Sequence, residues 1–185
     1  AGVIVKKVID DTPEVTAEDI LPQGYTTSIV NQEGTVLEQL KDSDSNRVYK
    51  KYDEISKYMG DAFVAIEDER FYQHNGIDIQ GIIRAGVNGV MNGFHFNEGA
   101  STITQQLIKN NVFPNFIHET KYERIERKIQ EQYLALKIEK QLSKKEILEA
   151  YMNTINLGQG CLGVQTASKR YFNKDAADLT LSECT

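Results

Sequence analysis

The alternation of hydrophobic and polar positions changes character near residue 59. Before it, β-favouring residues (Val3, Val5, Val8, Val15, Tyr25, Val30, Val36 and Tyr49) are scattered with little helical periodicity. Two β-prone runs, Thr26–Val30 and Thr35–Leu37, flank Asn31-Gln32-Glu33-Gly34. That pattern predicts a hairpin, with Gly34 available for a positive φ. Residues 1–60 hold eleven acids and seven bases, so residues 1–58 are expected to be a solvated connecting segment carrying a small β ribbon.

From residue 59 the rhythm is helical. One helix is expected through AFVAIEDERF, capped by Asp61. A second is expected from Asp78 to about Gly93, with Ile82, Ile83, Val87, Val90 and Met91 as its apolar stripe. Gly81, Gly86 and Gly89 weaken that helix and predict close packing against it. Phe94-His95-Phe96 falls in an exposed loop. A short helix follows Ser101, and a long one over 121–140 carries Ile125, Ile129, Tyr133 and Leu136 at helical spacing. Ser143 with Glu146, and Thr180 with Glu183, have the spacing of capping boxes. Residues 59–185 are therefore expected to form a mainly α domain, cut off at its C-terminal side just as its last helix begins.

Composition narrows the choices. Of 185 residues, 40% are hydrophobic and 26% charged, which fits a folded core and excludes disorder. No apolar run is long enough to span a membrane. The net charge of −6 argues against nucleic acid as a partner. Cys161 and Cys184 are too few for a disulfide framework and lack metal-ligand spacing. The chain has neither an initiator Met nor a signal peptide, so it is expected to be a piece of a longer protein.

Three segments carry candidate chemistry. In a helix over 62–71, Phe63 and Phe71 would flank Glu67 at i−4 and i+4 and set its carboxylate on an apolar stripe, an environment suited to a general base. The competing reading is an ordinary solvated cluster. Glu131 follows Arg127 by one turn and adjoins Lys128; residues 121–145 hold eight bases against four acids, a local excess able to hold a phosphate or pyrophosphate. Its alternative is a solvated helix face laced with i,i+4 pairs. In GASTITQQLIKN, Ser101 can cap a helix from which Gln105, Gln106 and Lys109 project groups suited to a sugar or diphosphate. His74 has no second His or Cys at ligand spacing, so it is read as a hydrogen-bonded structural histidine.

Taken in order, these segments resemble glycosyltransferase family 51, the peptidoglycan glycosyltransferase domain of class A penicillin-binding proteins. The family's motifs appear as EDERFYQHNG at Glu67–Gly76, GASTITQQ at Gly99–Gln106, RKIQE at Arg127–Glu131, KKEILEAYMNTINLGQGCLGVQTASKRYFNK from Lys144 to Lys174, and LTLSE at Leu179–Glu183. The resemblance implies a lysozyme-like, two-lobed helical fold that polymerises lipid II into β-1,4-linked glycan with release of undecaprenyl diphosphate. It implies Glu67 as base on the acceptor hydroxyl and Glu131 at the donor side as the catalytic pair. It implies Asp68, Ser101, Gln105, Gln106, Lys109, Arg127 and Lys128 as substrate-binding residues. No cofactor is required by it, although a divalent cation (Mg or Mn) beside Glu131 is compatible with it.

The resemblance further implies lipid II and the lipid-linked glycan chain as partners, inhibitors of the moenomycin type, and a downstream transpeptidase domain. It places the protein at the extracytoplasmic membrane surface, with an N-terminal transmembrane anchor outside this chain and Phe94-His95-Phe96 available to touch lipid. The segment between Lys109 and Arg127 is longer than in many members, leaving open whether Lys121 or Arg124 meets phosphate. Two other functions compete. A lysozyme-like hydrolase would use the same carboxylates but needs no cationic leaving-group site; a glycan-binding module would need neither carboxylate.

Overall fold

A computed structural model describes residues 2–22, 27–31, 36–40, 47–91, 99–113 and 119–185. The expected turn at Gln32-Glu33-Gly34 and the loop Phe94-His95-Phe96 lie outside them. The described chain is mainly helical, in two compact units: one of Ala1–Ile20 with Phe63–Ile147, the other of Leu21–Ala62 with Leu148–Thr185.

In the first unit, helices α1 (Gly2–Asp10) and α2 (Ala17–Ile20) pack on α6 (Lys121–Ile138) and α5 (Ile103–Val112), respectively. Val8, Val15 and Ile20 are buried. Residues 2–10 and 17–20 are thus helical, and the segment contributes buried side chains to this unit. Their β-branched residues favour strands only weakly, and burial against α5 and α6 overrides that preference. On α5 the spacing of Ile103, Leu107 and Ile108 gives one fully buried face; α5 packs on α6, where Leu134, Ala135 and Ile138 are likewise fully buried.

The face of α6 differs from expectation. Ile125 and Leu136 are exposed, whereas Arg127, Glu131, Leu134 and Ile138 form the buried stripe at spacings of four, three and four. Apolar residues at helical spacing do not mark the inward face here, and the inward stripe begins with the Arg127–Glu131 ion pair. Helix α4 (Ile79–Met91) forms where expected, yet Ile82, Ile83, Val87 and Met91 of its stripe are exposed, as is Ile79. At Gly81 an added Cβ would meet the carboxylate of Asp78, which opens the same helix, and stand 3.3 Å from the Arg70 guanidinium, whereas Gly86 faces open space and has no described element packed against it.

In the second unit, strands β1 (Thr27–Val30) and β2 (Val36–Leu40) pair antiparallel, from Thr27 opposite Leu40 to Val30 opposite Val36, with an irregularity at Ile29/Val30. The expected ribbon is therefore present. Ser56 donates to the Leu179 carbonyl, and Asn153 bonds the backbone of Lys50 through both ends of its amide. Helix α8 (Val164–Phe172) supplies Val164 and Ala167 to the core, and α9 (Leu181–Cys184) begins with the expected Thr180–Glu183 capping box. Helices α3 (Lys57–Glu67) and α7 (Lys144–Thr154) each have residues in both units. Asp61 lies inside α3, four residues beyond its start, and caps nothing.

Candidate active site

Helix α3 stops at Glu67, and that termination sets the character of the site. The chain turns sharply at Asp68, where the Phe71 amide donates to the Asp68 carbonyl at 2.8 Å. Phe71 is carried into the core and fully buried, with the Lys144 ammonium 4.3 Å from its ring centroid. It therefore does not flank Glu67 at i+4. The apolar enclosure expected for Glu67 is absent: the residue is exposed, and its Oε2 accepts from the Gln106 side-chain amide at 2.8 Å.

Asp68 faces the other way. Its buried carboxylate accepts from His74 Nε2 at 2.9 Å and from the Ile103 amide at 3.0 Å, so it satisfies one of the open N–H groups at the start of α5. His74 Nδ1 accepts from the Gly76 amide at 3.1 Å, which leaves the ring proton on Nε2, facing Asp68. His74 is structural, as expected. The Asp68 oxygens are thus held by the protein and position α5, and Asp68 also lines the cleft beside Glu67.

Gln105 is also engaged by the protein. It is buried, and its amide donates to the Gly76 carbonyl at 3.2 Å, beside the Thr102 hydroxyl, which donates to the same oxygen at 2.8 Å. Thr102, not Ser101, caps α5, accepting from the Gln105 amide. Gly76 itself lies against α6. Its φ is +91°, and a Cβ there would stand 2.8 Å from the Ala135 carbonyl group. Asp68, His74, Gly76, Thr102 and Gln105 thus tie the turn after Glu67 to α5, and Gly76 sets that turn on α6.

Released from capping, Ser101 borders the cleft that contains Glu67, a space of about 250 Å³ also lined by Glu69, Arg70, Asp78 and Arg84. Arg70 grips Asp78 through Nε and Nη2, the latter at 2.6 Å, and Asp78 also accepts from the Gly81 amide at the start of α4. The Ser101 hydroxyl accepts from the Lys128 ammonium at 2.8 Å, and the same ammonium lies 2.8 Å from Glu131 Oε2. One hydroxyl therefore joins the cleft of the exposed carboxylate to the buried one.

Glu131 is wholly buried, with Arg127 Nη1 on Oε1 and Lys128 on Oε2. The solvated-face alternative fails here, because a buried carboxylate is tolerated only when so paired. Arg127 is nearly as buried, and its other edge is taken by Glu119, with Nε on Oε1 and Nη2 on Oε2 at 2.8 Å. Hydrogen bonding to Glu119 raises the Arg127 pKa further, and the guanidinium in turn holds Glu119 below the usual carboxylate range. Burial pushes the Lys109 ammonium below the usual lysine range; the negative charges of Glu131 and Glu67 act against that shift, while Lys128 and Arg127 add to it. Lys109 thus lies in the field of both carboxylates. Lys121 and Arg124 are exposed and share a helical stripe with Lys128, so both bases of the longer segment border the same face.

A divalent cation does not fit these donors. Among the described residues no three His, Cys, Asp or Glu side chains converge, and both oxygens of Glu131 are held by cations. Cys161 and Cys184 are both free thiols. Sequence reasoning missed Glu119, Arg84 and the Arg70–Asp78 pair. Asp78 carried a signal, an Asp just before a predicted helix; Glu119 carried none.

A sequence model of the transglycosylase family matches residues 33–185. Penicillin-binding protein 1A of Clostridium perfringens (strain 13 / Type A) is 43% identical over 186 residues, covering 99% of this chain and 26% of that protein. The proteins of the same name from Clostridium botulinum (strain Langeland) and Clostridium acetobutylicum are 40% identical over 99% of this chain and 53% identical over 71% of it. The chain covers 22% of the botulinum protein and 16% of the acetobutylicum one. It thus spans about a quarter or less of the length of these curated relatives.

Proposed function

The chain belongs to the transglycosylase family, and from that premise we propose that it is a peptidoglycan glycosyltransferase, extending a lipid-linked glycan with lipid II in cell-wall synthesis. The observation that carries the reading is the cationic cluster around buried Glu131, joined through Lys128 and Ser101 to the cleft of exposed Glu67.

In this reading the acceptor enters the cleft and places its 4-hydroxyl against Glu67. Glu67 takes the hydroxyl proton as the oxygen attacks the donor anomeric carbon. The new carbon–oxygen bond forms on the face opposite the departing oxygen, so configuration inverts and a β-1,4 bond results. The bond to the diphosphate breaks, and undecaprenyl diphosphate leaves with the electron pair. Charge accumulates on that diphosphate, and Lys109 and Lys128 offset it in a site partly shielded from water, where such stabilisation is strongest. Gln106 fixes the base, and Ser101 holds Lys128 between the two halves of the reaction. No step is routed through a metal ion.

The leaving-group side favours transfer over hydrolysis. A glycan hydrolase expels a sugar hydroxyl, which needs a proton donor held in apolar surroundings; Glu67 is exposed and already accepts an amide. The apolar residues exposed along α4 support work at a membrane surface, and no described helix is long and apolar enough to cross one. The extracytoplasmic face, a membrane anchor, a following transpeptidase domain and sensitivity to moenomycin belong to the same proposal, for the longer protein.

Labelled lipid II incubated with the domain, with products separated by length, tests it. A ladder of lengthening chains is expected. Shortening of preformed glycan would support the hydrolase, and binding without either product would support a glycan-binding module.

A further inference from the structure

We propose that Glu119 is a positioning residue for Glu131, acting through Arg127. The inference rests on the donor-side role that the resemblance implies for Glu131 within the proposed function; Glu119 itself lies outside the segments that carry the resemblance. A guanidinium is a rigid plane with five N–H donors, so fixing one edge fixes where the others point. Glu119 takes the Nε/Nη2 edge of Arg127 with both carboxylate oxygens, and this directs Nη1 onto Glu131 Oε1. Lys128 closes on Oε2, so each oxygen of Glu131 has one cation and the carboxylate has one orientation.

Local structure places Glu119 for this. Thr120 is the N-cap of α6 and forms a capping box with Glu123, which fixes the backbone direction just where Glu119 leaves it. The Glu119 and Arg127 side chains are 12% and 9% exposed, so their pairing is shielded from competing water and salt. Without the Glu119 charge, the Nε/Nη2 edge of the buried guanidinium loses the carboxylate that holds it. The plane then turns to present two N–H groups to Glu131, drawing Oε1 away from the geometry Lys128 complements.

The test compares steady-state lipid II polymerisation by the parent, Glu119→Gln, Glu119→Asp and Glu131→Gln, with a thermal melt of each. Glu119→Gln is expected to remain folded and to lower kcat about ten- to a hundredfold with KM little changed, the pattern of a misplaced rather than a missing contact. Glu119→Asp, which keeps the charge, is expected to fall between Glu119→Gln and the parent. Adding Glu119→Gln to Arg127→Gln is expected to cost no more than Arg127→Gln alone, because the first acts only through the second. Parental kcat in Glu119→Gln beside an inactive Glu131→Gln would overturn the positioning role alone. So would faster turnover with tighter binding of inorganic pyrophosphate, which would make Glu119 a competitor for the anion site. Parental turnover by Glu131→Gln would overturn the proposed function and the Glu119 assignment together.

Discussion

The Gln106 side-chain amide donates to Oε2 of Glu67 over 2.8 Å, joining the last residue of α3 to the first turn of α5. Because α5 is itself anchored by Asp68 and Thr102, the position of Glu67 depends on contacts made one residue further along the chain. Gln106→Ala should free the Glu67 side chain without disturbing the core, since Glu67 is exposed. Steady-state kinetics should show kcat lower by about tenfold, while the melting temperature stays near the parental value. An equal fall in stability would mean that the bond serves the fold.

Lys109 predicts a pH effect. Burial disfavours its charged form, so its folded pKa lies below the unfolded value. Between those two values the unfolded state binds more protons, so this group makes stability rise with pH there. The ammonium needed beside the diphosphate is lost as pH climbs through the lowered value. The alkaline fall in kcat/KM should therefore begin below the ordinary lysine range, and Lys109→Arg, which is not deprotonated, should move that limb upward. An unchanged limb in the Arg variant would remove Lys109 from the profile.

Arg127 and Lys128 should separate in a denaturation experiment. Arg127→Met leaves Glu119 and buried Glu131 without their shared guanidinium, so urea unfolding should show a loss of about 3 kcal/mol or more. The Lys128 side chain is 39% exposed, and Lys128→Met should cost about 1 kcal/mol or less while still lowering turnover. Equal losses of stability would contradict the difference in burial on which this rests.

Gly76→Ala should be among the costlier substitutions in the first unit. The residue has φ +91°, and an added Cβ would stand 2.8 Å from the Ala135 backbone, which cannot yield without bending α6. Strain and overpacking together should cost about 3 kcal/mol in urea unfolding. A loss below about 1 kcal/mol would mean that the turn does not lock onto α6.

Much of the helical layout was legible in the sequence. Asp78 opens α4, and the Ser143–Glu146 and Thr180–Glu183 spacings mark real caps, because capping depends on residues three apart. The inward face of α6 was not legible. Periodicity counts apolar residues, whereas here Arg127 and Glu131 go inward as a neutralising pair and leave Ile125 and Leu136 outside. A helix continuing to Phe71 would set Glu67 on an apolar stripe; the actual end at Glu67 sends Phe71 into the core. Asp68 and Gln105 lie within recognisable segments, yet their bonds to Ile103, His74 and Gly76 depend on how α5 and the turn after Glu67 meet, which no local pattern encodes. Glu119 acts across eight residues and a helix cap, a separation at which no local pattern exists.

The account turns on Glu67 as the base of a glycosyl transfer. Its most direct measurement is the initial rate of chain growth from labelled lipid II by Glu67→Gln, on protein shown by thermal melt to be folded. The exchange keeps the shape and removes the proton acceptor, so the rate should fall by about a hundredfold or more. A folded Glu67→Gln domain that lengthens glycan at the parental rate would contradict it.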